Sequence, residues 1–246
     1  MKIRDRRSTE EKLVHSITIR KEFLNELQEE VQDLKEDLSA GIQKYKNPTE
    51  QVLKLTYNDI SIYQLSILIG TYSAGYPLEI FKKEYLKFVD SLILIWESNS
   101  DYIEMIWALS IGILLDIDDE VFNKLVGLVR KDDPVDYLID YLIHYRQPDW
   151  AIRDDFMFPM HYGTLQKVTE TTTSEEATKL LVDYLAKEWY QGHRDSGWYD
   201  LHKANIDNYY GYWSFEAGAI CKIMGLNPDD FKEVDYFPYD LVVEED

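Results

Sequence analysis

Cysteine and basic residues are scarce in this sequence of 246 residues. Cys221 is the single cysteine, so no disulfide can form within the chain, and a reducing cytoplasm is the expected compartment. The 26 lysines and arginines fall far short of the 46 aspartates and glutamates, which leaves a formal net charge of −20. A surface of this sign repels nucleic acids and anionic membranes, whereas it attracts a basic protein. Solubility alone is another reason for such acidity.

Long apolar segments are also missing. The longest one, residues 103–117, is interrupted by Glu104 and is shorter than the ~20 residues that span a bilayer. The first seven residues are rich in charge, but no apolar segment typical of a secretory signal follows them. We therefore expect a soluble, cytoplasmic protein.

The sequence contains none of the motifs that mark several common enzyme classes. It has no G-x-G-x-x-G or G-x-x-x-x-G-K-[ST] nucleotide-binding motif, no G-x-S-x-G nucleophile elbow and no H-E-x-x-H zinc motif. Alternating strand patterns and Asn-Gly or Asp-Gly hairpin turns are absent as well. We therefore predict no catalytic residue, no cofactor and no metal, and we expect little β-structure.

Apolar residues instead recur at the three- and four-residue spacing of helices. The pattern predicts one long amphipathic helix that follows a capping box at Ser8-Thr-Glu-Glu11 and ends at Asn47-Pro48. It predicts an apolar helix from Asp59 to Ala74, another that opens at Asp133-Pro134, and one that starts at the capping box Thr173-Ser-Glu-Glu176. These segments together predict an all-α protein.

One segment near the C-terminus is apolar on nearly every face. Between Trp213 and Met224 only three polar residues interrupt it, and Ala217-Gly-Ala219 would let neighbouring backbones come close. Gly225 suits a left-handed C-cap. We predict a buried C-terminal hub helix here, within a single helical body of stacked antiparallel helices. An N-terminal region of residues 1–125 and a C-terminal region of residues 126–246 would form that body.

The negative charge is concentrated after the first helix. Residues 1–50 hold 10 basic and 11 acidic residues, so the other residues hold 16 basic and 35 acidic ones. Two segments in this part, residues 147–173 and 191–207, read as largely irregular and contain aspartates and aromatic residues. Loops of this kind are frequent sites of function.

A hydrolase is one interpretation of the polar residues in this part. His193, Asp195, Asp200 and His202 have metal-capable side chains, although they follow no known ligand spacing. Glu216 lies in the predicted hub helix, where a carboxylate must be hydrogen-bonded or have a raised pKa, which is also how general acids arise. An enzyme that uses Glu216 and the His193/His202 loop is therefore an alternative to purely structural hydrogen bonding.

Three C-terminal blocks carry a resemblance to a known family. They are Trp198-Tyr-Asp-Leu-His202, Gly211-Tyr-Trp-Ser-Phe-Glu-Ala-Gly-Ala-Ile220 and Tyr236-Phe-Pro-Tyr-Asp-Leu241. They resemble the C-terminal signature of the PoNi family, the immunity proteins that accompany PoNe DNase toxins in bacterial competition. The N-terminal half is similar only in character. The resemblance implies a cytoplasmic, non-enzymatic protein that neutralises a cognate DNase toxin, in the setting of type VI secretion.

The expected partner suggests where the toxin would bind. A nuclease presents a basic cleft to the phosphate backbone, and carboxylates of an inhibitor can occupy the phosphate positions. We therefore predict that the basic surface of the toxin contacts acidic residues of the irregular segments. The toxin-binding candidates are Asp154, Asp155, Asp195, Asp200 and Asp207. A scaffold for another basic protein is a further alternative, and the first helix is compatible with a homodimer.

Overall fold

A computed structural model describes residues 2–204 and 208–243. Every regular element in these residues is helical and none is a strand, which confirms the all-α prediction. The α-helices are α1 (Glu10–Ala40), α2 (Thr49–Ser73), α3 (Leu78–Ile95), α4 (Tyr102–Leu114), α5 (Asp119–Asp132), α6 (Tyr137–Arg146), α7 (Pro159–Glu170), α8 (Ser174–Tyr184), α9 (Tyr190–Gly192), α10 (Phe215–Met224) and α11 (Tyr239–Val242). A π-helical turn, Leu185–Trp189, joins α8 to α9, and 3₁₀ turns occupy Leu201–Lys203 and Pro228–Phe231.

The chain divides into two compact units. The N-terminal unit comprises residues 2–96 together with the described residues of 200–211. The C-terminal unit comprises residues 97–199 and 212–243. The division that we predicted near residue 125 stays a prediction. No helix in the described part of the chain is both long and apolar enough to cross a bilayer.

In the N-terminal unit, α1 packs along α2, and α2 packs against α3. α1 ends at Ala40, earlier than the predicted end at Asn47-Pro48, because Gly41 adopts a left-handed φ of 68° that closes the helix. α2 then begins at Thr49, well before the predicted start at Asp59, since Pro48 suits the position that precedes a first turn. The periodic pattern therefore located both helices but misplaced the turn between them.

Short polar side chains cap the N-termini of several helices. Thr173 accepts a hydrogen bond from a backbone N–H of the first turn of α8, as predicted. Thr9, and not Ser8, performs the same role for α1. α6 begins after Asp136, whose carboxylate caps it, and not at the predicted Asp133-Pro134. Asp133 instead ends α5 in a left-handed conformation with φ 49°.

α10 is the predicted hub helix, and it is buried. All side chains from Phe215 to Cys221 are buried, and the helix packs on α4 and α11. The contact is close at Gly218, where an added Cβ would lie 2.7 Å from Pro238 Cγ and 3.3 Å from Leu114 Cδ1. The small residues thus allow the neighbouring elements to approach the helix backbone, as the sequence predicted.

Candidate partner-binding surface

The irregular segment before α7 is attached to α6 by a buried aspartate. Asp140 has no exposed surface, and its carboxylate accepts hydrogen bonds from Trp150 Nε1 at 2.8 Å and from Arg153 Nε at 2.7 Å. The same guanidinium reaches Asp133 Oδ1 at 2.8 Å and Pro134 O at 2.7 Å. The hydrogen bond to Asp140 raises the pKa of Arg153 further above its ordinary value. The Arg153 guanidinium therefore joins the irregular segment to α6 and to the end of α5.

A second buried aspartate holds the far end of this segment. The Asp136 carboxylate accepts hydrogen bonds from Tyr102 Oη at 2.8 Å, from Ile139 N at 2.9 Å and from Met157 N at 3.0 Å. Burial raises the pKa of Asp136, while these hydrogen bonds oppose the rise. Because both ends are fixed, residues 150–157 have a defined backbone path without regular secondary structure.

Two of the predicted toxin-binding residues lie on this fixed segment. Asp154 and Asp155 are both exposed, directly after Arg153. The backbone carbonyl of Asp155 accepts a hydrogen bond from Tyr137 N at 2.6 Å. The structure thus presents adjacent carboxylates on a backbone that the Arg153–Asp140 ion pair and the hydrogen bond from Met157 N to Asp136 hold in place. Such a fixed backbone lowers the entropy lost when a partner binds.

Asp195 lies on the loop that follows α9, in the same unit. Its side chain is 67% exposed, and Oδ1 lies 3.0 Å from Nε2 of the buried His161. Burial acts to raise the pKa of Asp195, but the hydrogen bond to His161 outweighs it, so the pKa is lowered. Asp195 is therefore an oriented carboxylate with an open side.

The other two candidates lie elsewhere. Asp200 belongs to the N-terminal unit, where it adopts a left-handed φ of 60° and pairs with Lys203 at 2.8 Å. Asp207 lies outside the described residues. Asp154 and Asp155 are consequently the only adjacent pair among the described candidates.

Glu216 lies in a buried polar cluster of the same unit. Its side chain is fully buried, and Oε1 accepts hydrogen bonds from Trp189 Nε1 at 2.6 Å and from Ser214 Oγ at 2.7 Å. Burial raises the pKa of Glu216 to about 7, although these hydrogen bonds oppose the rise. Oε2 has no hydrogen-bond partner among the described residues. The carboxyl group therefore keeps a substantial protonated fraction at neutral pH.

The two histidines of the hydrolase alternative belong to different units, and the one in the same unit as Glu216 is closed to solvent. His193 is fully buried, with Nδ1 2.6 Å from Trp189 O and Nε2 3.0 Å from Tyr162 Oη. Burial lowers its pKa to about 4, so the ring is neutral. His202 belongs to the other unit and stacks edge-on against Tyr209. Within the described ranges, no three His, Cys, Asp or Glu side chains come together as a metal site requires.

Sequence reasoning identified the exposed aspartates but missed Asp136, Asp140 and the His161–Asp195 pair. The available signal was a carboxylate at position 140 inside an apolar helix, where an unpaired charge is costly. The partners, Trp150 and Arg153, lie in the irregular segment, and no local pattern identifies them.

Two family models match this chain over most of its length. The N-terminal model of PoNe immunity protein (PoNi) matches residues 4–127, and the C-terminal model of PoNe immunity proteins (PoNi) matches residues 134–241. The second match contains all three of the blocks that carried the resemblance.

A solved structure shares the fold. The crystal structure of protein PA2201 from Pseudomonas aeruginosa has a TM-score of 0.61, covers 98% of this chain and 97% of its own, and is 14% identical in sequence. At that identity the likeness concerns the fold alone. No curated protein matches the chain.

Proposed function

Because this chain belongs to the PoNi family of PoNe immunity proteins, we propose that it binds and neutralises a cognate PoNe-type DNase toxin. The observation that carries the proposal is the family match, which includes residues 4–127 and 134–241. Members of an immunity family protect the cell that makes the toxin and its kin. The chain would therefore act by forming a complex and not by turnover.

The proposed mechanism is that an acidic surface covers the basic DNA-binding or active-site cleft of the toxin. The net charge of −20 would speed association with a basic protein, and carboxylates would take the positions of DNA phosphates. Asp154 and Asp155 support the mechanism best, since they are adjacent, exposed and held by a fixed backbone. Asp195, Asp200 and Asp207 are the other proposed contacts.

The buried polar residues have a structural role in this proposal. Glu216 and His193 each have 0% exposed surface, and hydrogen bonds from or to neighbouring groups occupy Glu216 Oε1 and both nitrogens of His193. A substrate would not reach either group without opening the unit. We propose that the chain is not an enzyme and that it acts in the cytoplasm, where a DNase delivered by type VI secretion would meet the chromosome.

Co-expression with the gene of a cognate PoNe-type toxin tests the proposed function. The expected result is survival of cells that carry both genes, and co-purification of a one-to-one complex with a catalytically inactive DNase domain. Association should slow as salt rises from about 0.05 to 0.5 M, because screening shortens the range of the electrostatic attraction. The proposal is contradicted if the cells die and the folded chain forms no complex with the DNase domain.

A further inference from the structure

A second feature of the C-terminal unit is a cleft of about 310 Å³ between the start of α4, the start of α7 and the loop that contains Asp195. We name it the Glu104 cleft. The side chains that define its chemistry are Tyr102, Glu104, Phe158, His161, Asp195 and Trp198. Its volume lies at the lower end of the ~300–1,000 Å³ range of ligand pockets, which suits one large side chain better than a nucleotide-sized cofactor.

Aromatic rings form part of the wall of the Glu104 cleft. The ring centroids of Tyr102 and Phe158 are 4.8 Å apart, and Trp198 lies on another side with 8% of its surface exposed. The negative faces of such rings attract a planar cation, and a guanidinium group stacks on them more readily than an ammonium group does.

The polar side chains of the cleft include two carboxylates, those of Glu104 and Asp195. Glu104 has no ion pair and no hydrogen-bonded side chain among the described residues, and no lysine or arginine lines the described cleft. Burial raises the pKa of Glu104 to about 7, and the nearby charge of Asp101 acts in the same direction. The carboxylate is thus held where its charge is poorly compensated, and a cation would stabilise its ionised form.

A second carboxylate borders the same space. Asp195 is fixed by His161 through one oxygen and keeps most of its side chain exposed. The carboxylates of Glu104, on α4, and of Asp195, on the loop after α9, match the N–H donors of a guanidinium group.

We propose that the Glu104 cleft binds the guanidinium group of a single arginine on the basic face of the toxin. Glu104 and Asp195 would pair with it, and the aromatic walls would stack against its plane. This inference rests on the proposed function, since it concerns the same partner, and it adds one specific anchor to a surface otherwise defined by charge.

The experiment measures the affinity of the chain for the catalytically inactive DNase domain. Glu104→Gln should weaken binding by about 10-fold or more, because it removes one partner of a desolvated charge pair. Asp195→Asn should have a smaller effect in the same direction, since Asp195 is more exposed. Glu175→Gln, which removes one exposed carboxylate from α8, is the matched control and should stay within about twofold.

Folding is checked separately for each variant. Glu104→Gln replaces a carboxylate without a cation by a neutral side chain of the same shape, so its melting temperature should equal or exceed that of the wild type. A Glu104→Gln variant that is folded and binds as tightly as Glu175→Gln overturns the inference while leaving the proposed function intact. If the wild type itself does not bind, the proposed function fails as well.

A coupling experiment identifies the residue that occupies the cleft. Each arginine on the basic face of the DNase domain is replaced by alanine and tested against the wild type and against Glu104→Gln. One arginine should lose most of its contribution when Glu104 is neutral, which marks direct coupling. Coupling to a lysine instead, or to no basic residue, contradicts the assignment of an arginine.

Discussion

Arg153 and Asp140 form an ion pair that uses both oxygens of a carboxylate with no exposed surface. Arg153 Nε lies 2.7 Å from Oδ2, and Nη2 lies 3.0 Å from Oδ1. The backbone N–H of Arg153 also reaches Oδ2, at 3.0 Å. Because the Asp140 side chain binds both the guanidinium and the backbone N–H of Arg153, it fixes the backbone directly before Asp154.

Asp140→Ala should destabilise the chain by about 3 kcal/mol or more, because it leaves the Arg153 guanidinium and the Trp150 indole without their buried partner. Urea unfolding at neutral pH measures the change. Asp133→Asn is the control, since Asp133 contacts the same guanidinium but is 77% exposed, and asparagine tolerates its left-handed conformation. The control should cost less than about 1 kcal/mol. If both variants lose the same amount of unfolding free energy, the buried contact with Asp140 contributes no more to stability than the exposed contact with Asp133.

Charge reversal of the exposed pair, Asp154→Lys with Asp155→Lys, should weaken toxin binding and protection. We expect a loss of about 10-fold or more in association rate at low salt, and a smaller loss at high salt, because the added charges repel a basic partner. Stopped-flow association with the inactive DNase domain measures this rate.

The control for that pair is Glu26→Lys with Glu29→Lys on α1, which changes the net charge by the same amount at exposed positions. If both double variants slow association equally, the net charge matters and the location does not. A selective effect at residues 154 and 155 supports contact with the toxin there.

The unfolding free energy of Glu216→Gln, relative to that of the wild type, should increase as the pH rises. The folded-state pKa of Glu216 is about 7, raised from 4.5, so its stabilising contribution is complete below pH 4.5 and is lost as the pH rises through 7. The loss amounts to at most about 3 kcal/mol at 1.36 kcal/mol per pKa unit. Glutamine does not ionise, so the variant avoids the loss.

The measurement is the difference in unfolding free energy between Glu216→Gln and the wild type at pH 5 and pH 8. His193, whose pKa is lowered to about 4, has the opposite pH dependence, because it lowers the stability as the pH falls below 6.5. Since His193 is present in both proteins, its contribution cancels in the difference. A difference that does not change with pH would show that Glu216 titrates near its ordinary value. Protection against the toxin should persist in the variant, whereas a hydrolase that depends on Glu216 would lose its activity.

Gly218→Ala should destabilise the chain by about 1–3 kcal/mol, because the new methyl group would overlap Pro238 at the contact between α10 and α11. Thermal unfolding measures the change. Gly127→Ala is the control: this glycine lies in α5, and an added Cβ there meets nothing within 4 Å. The control should stabilise by about 0.5–1 kcal/mol, because alanine favours the helix. If Gly218→Ala leaves the stability unchanged, Pro238 and α11 can move away from α10 at little cost in free energy.

Several expectations from the sequence agree with the structure because they depend on neighbouring residues alone. Thr173 caps α8, and Gly225 ends α10 in a left-handed conformation with φ 62°. The same local rules misplaced the end of α1. Gly41 supplies a left-handed C-cap in mid-pattern, while the polar and apolar residues continue to alternate beyond it at helical spacing.

The sequence by itself determined that the chain is helical, that it carries a strong negative charge, that α10 is buried and that its C-terminal blocks resemble the PoNi family. These features follow from residue spacing and composition. Only the tertiary structure decided that Asp140 meets Arg153, that His161 meets Asp195, that Trp189 meets Glu216 and that a cleft opens beside Glu104. The physical reason is that these contacts join side chains from different elements, and helical periodicity shows which face is buried but not which partner it meets.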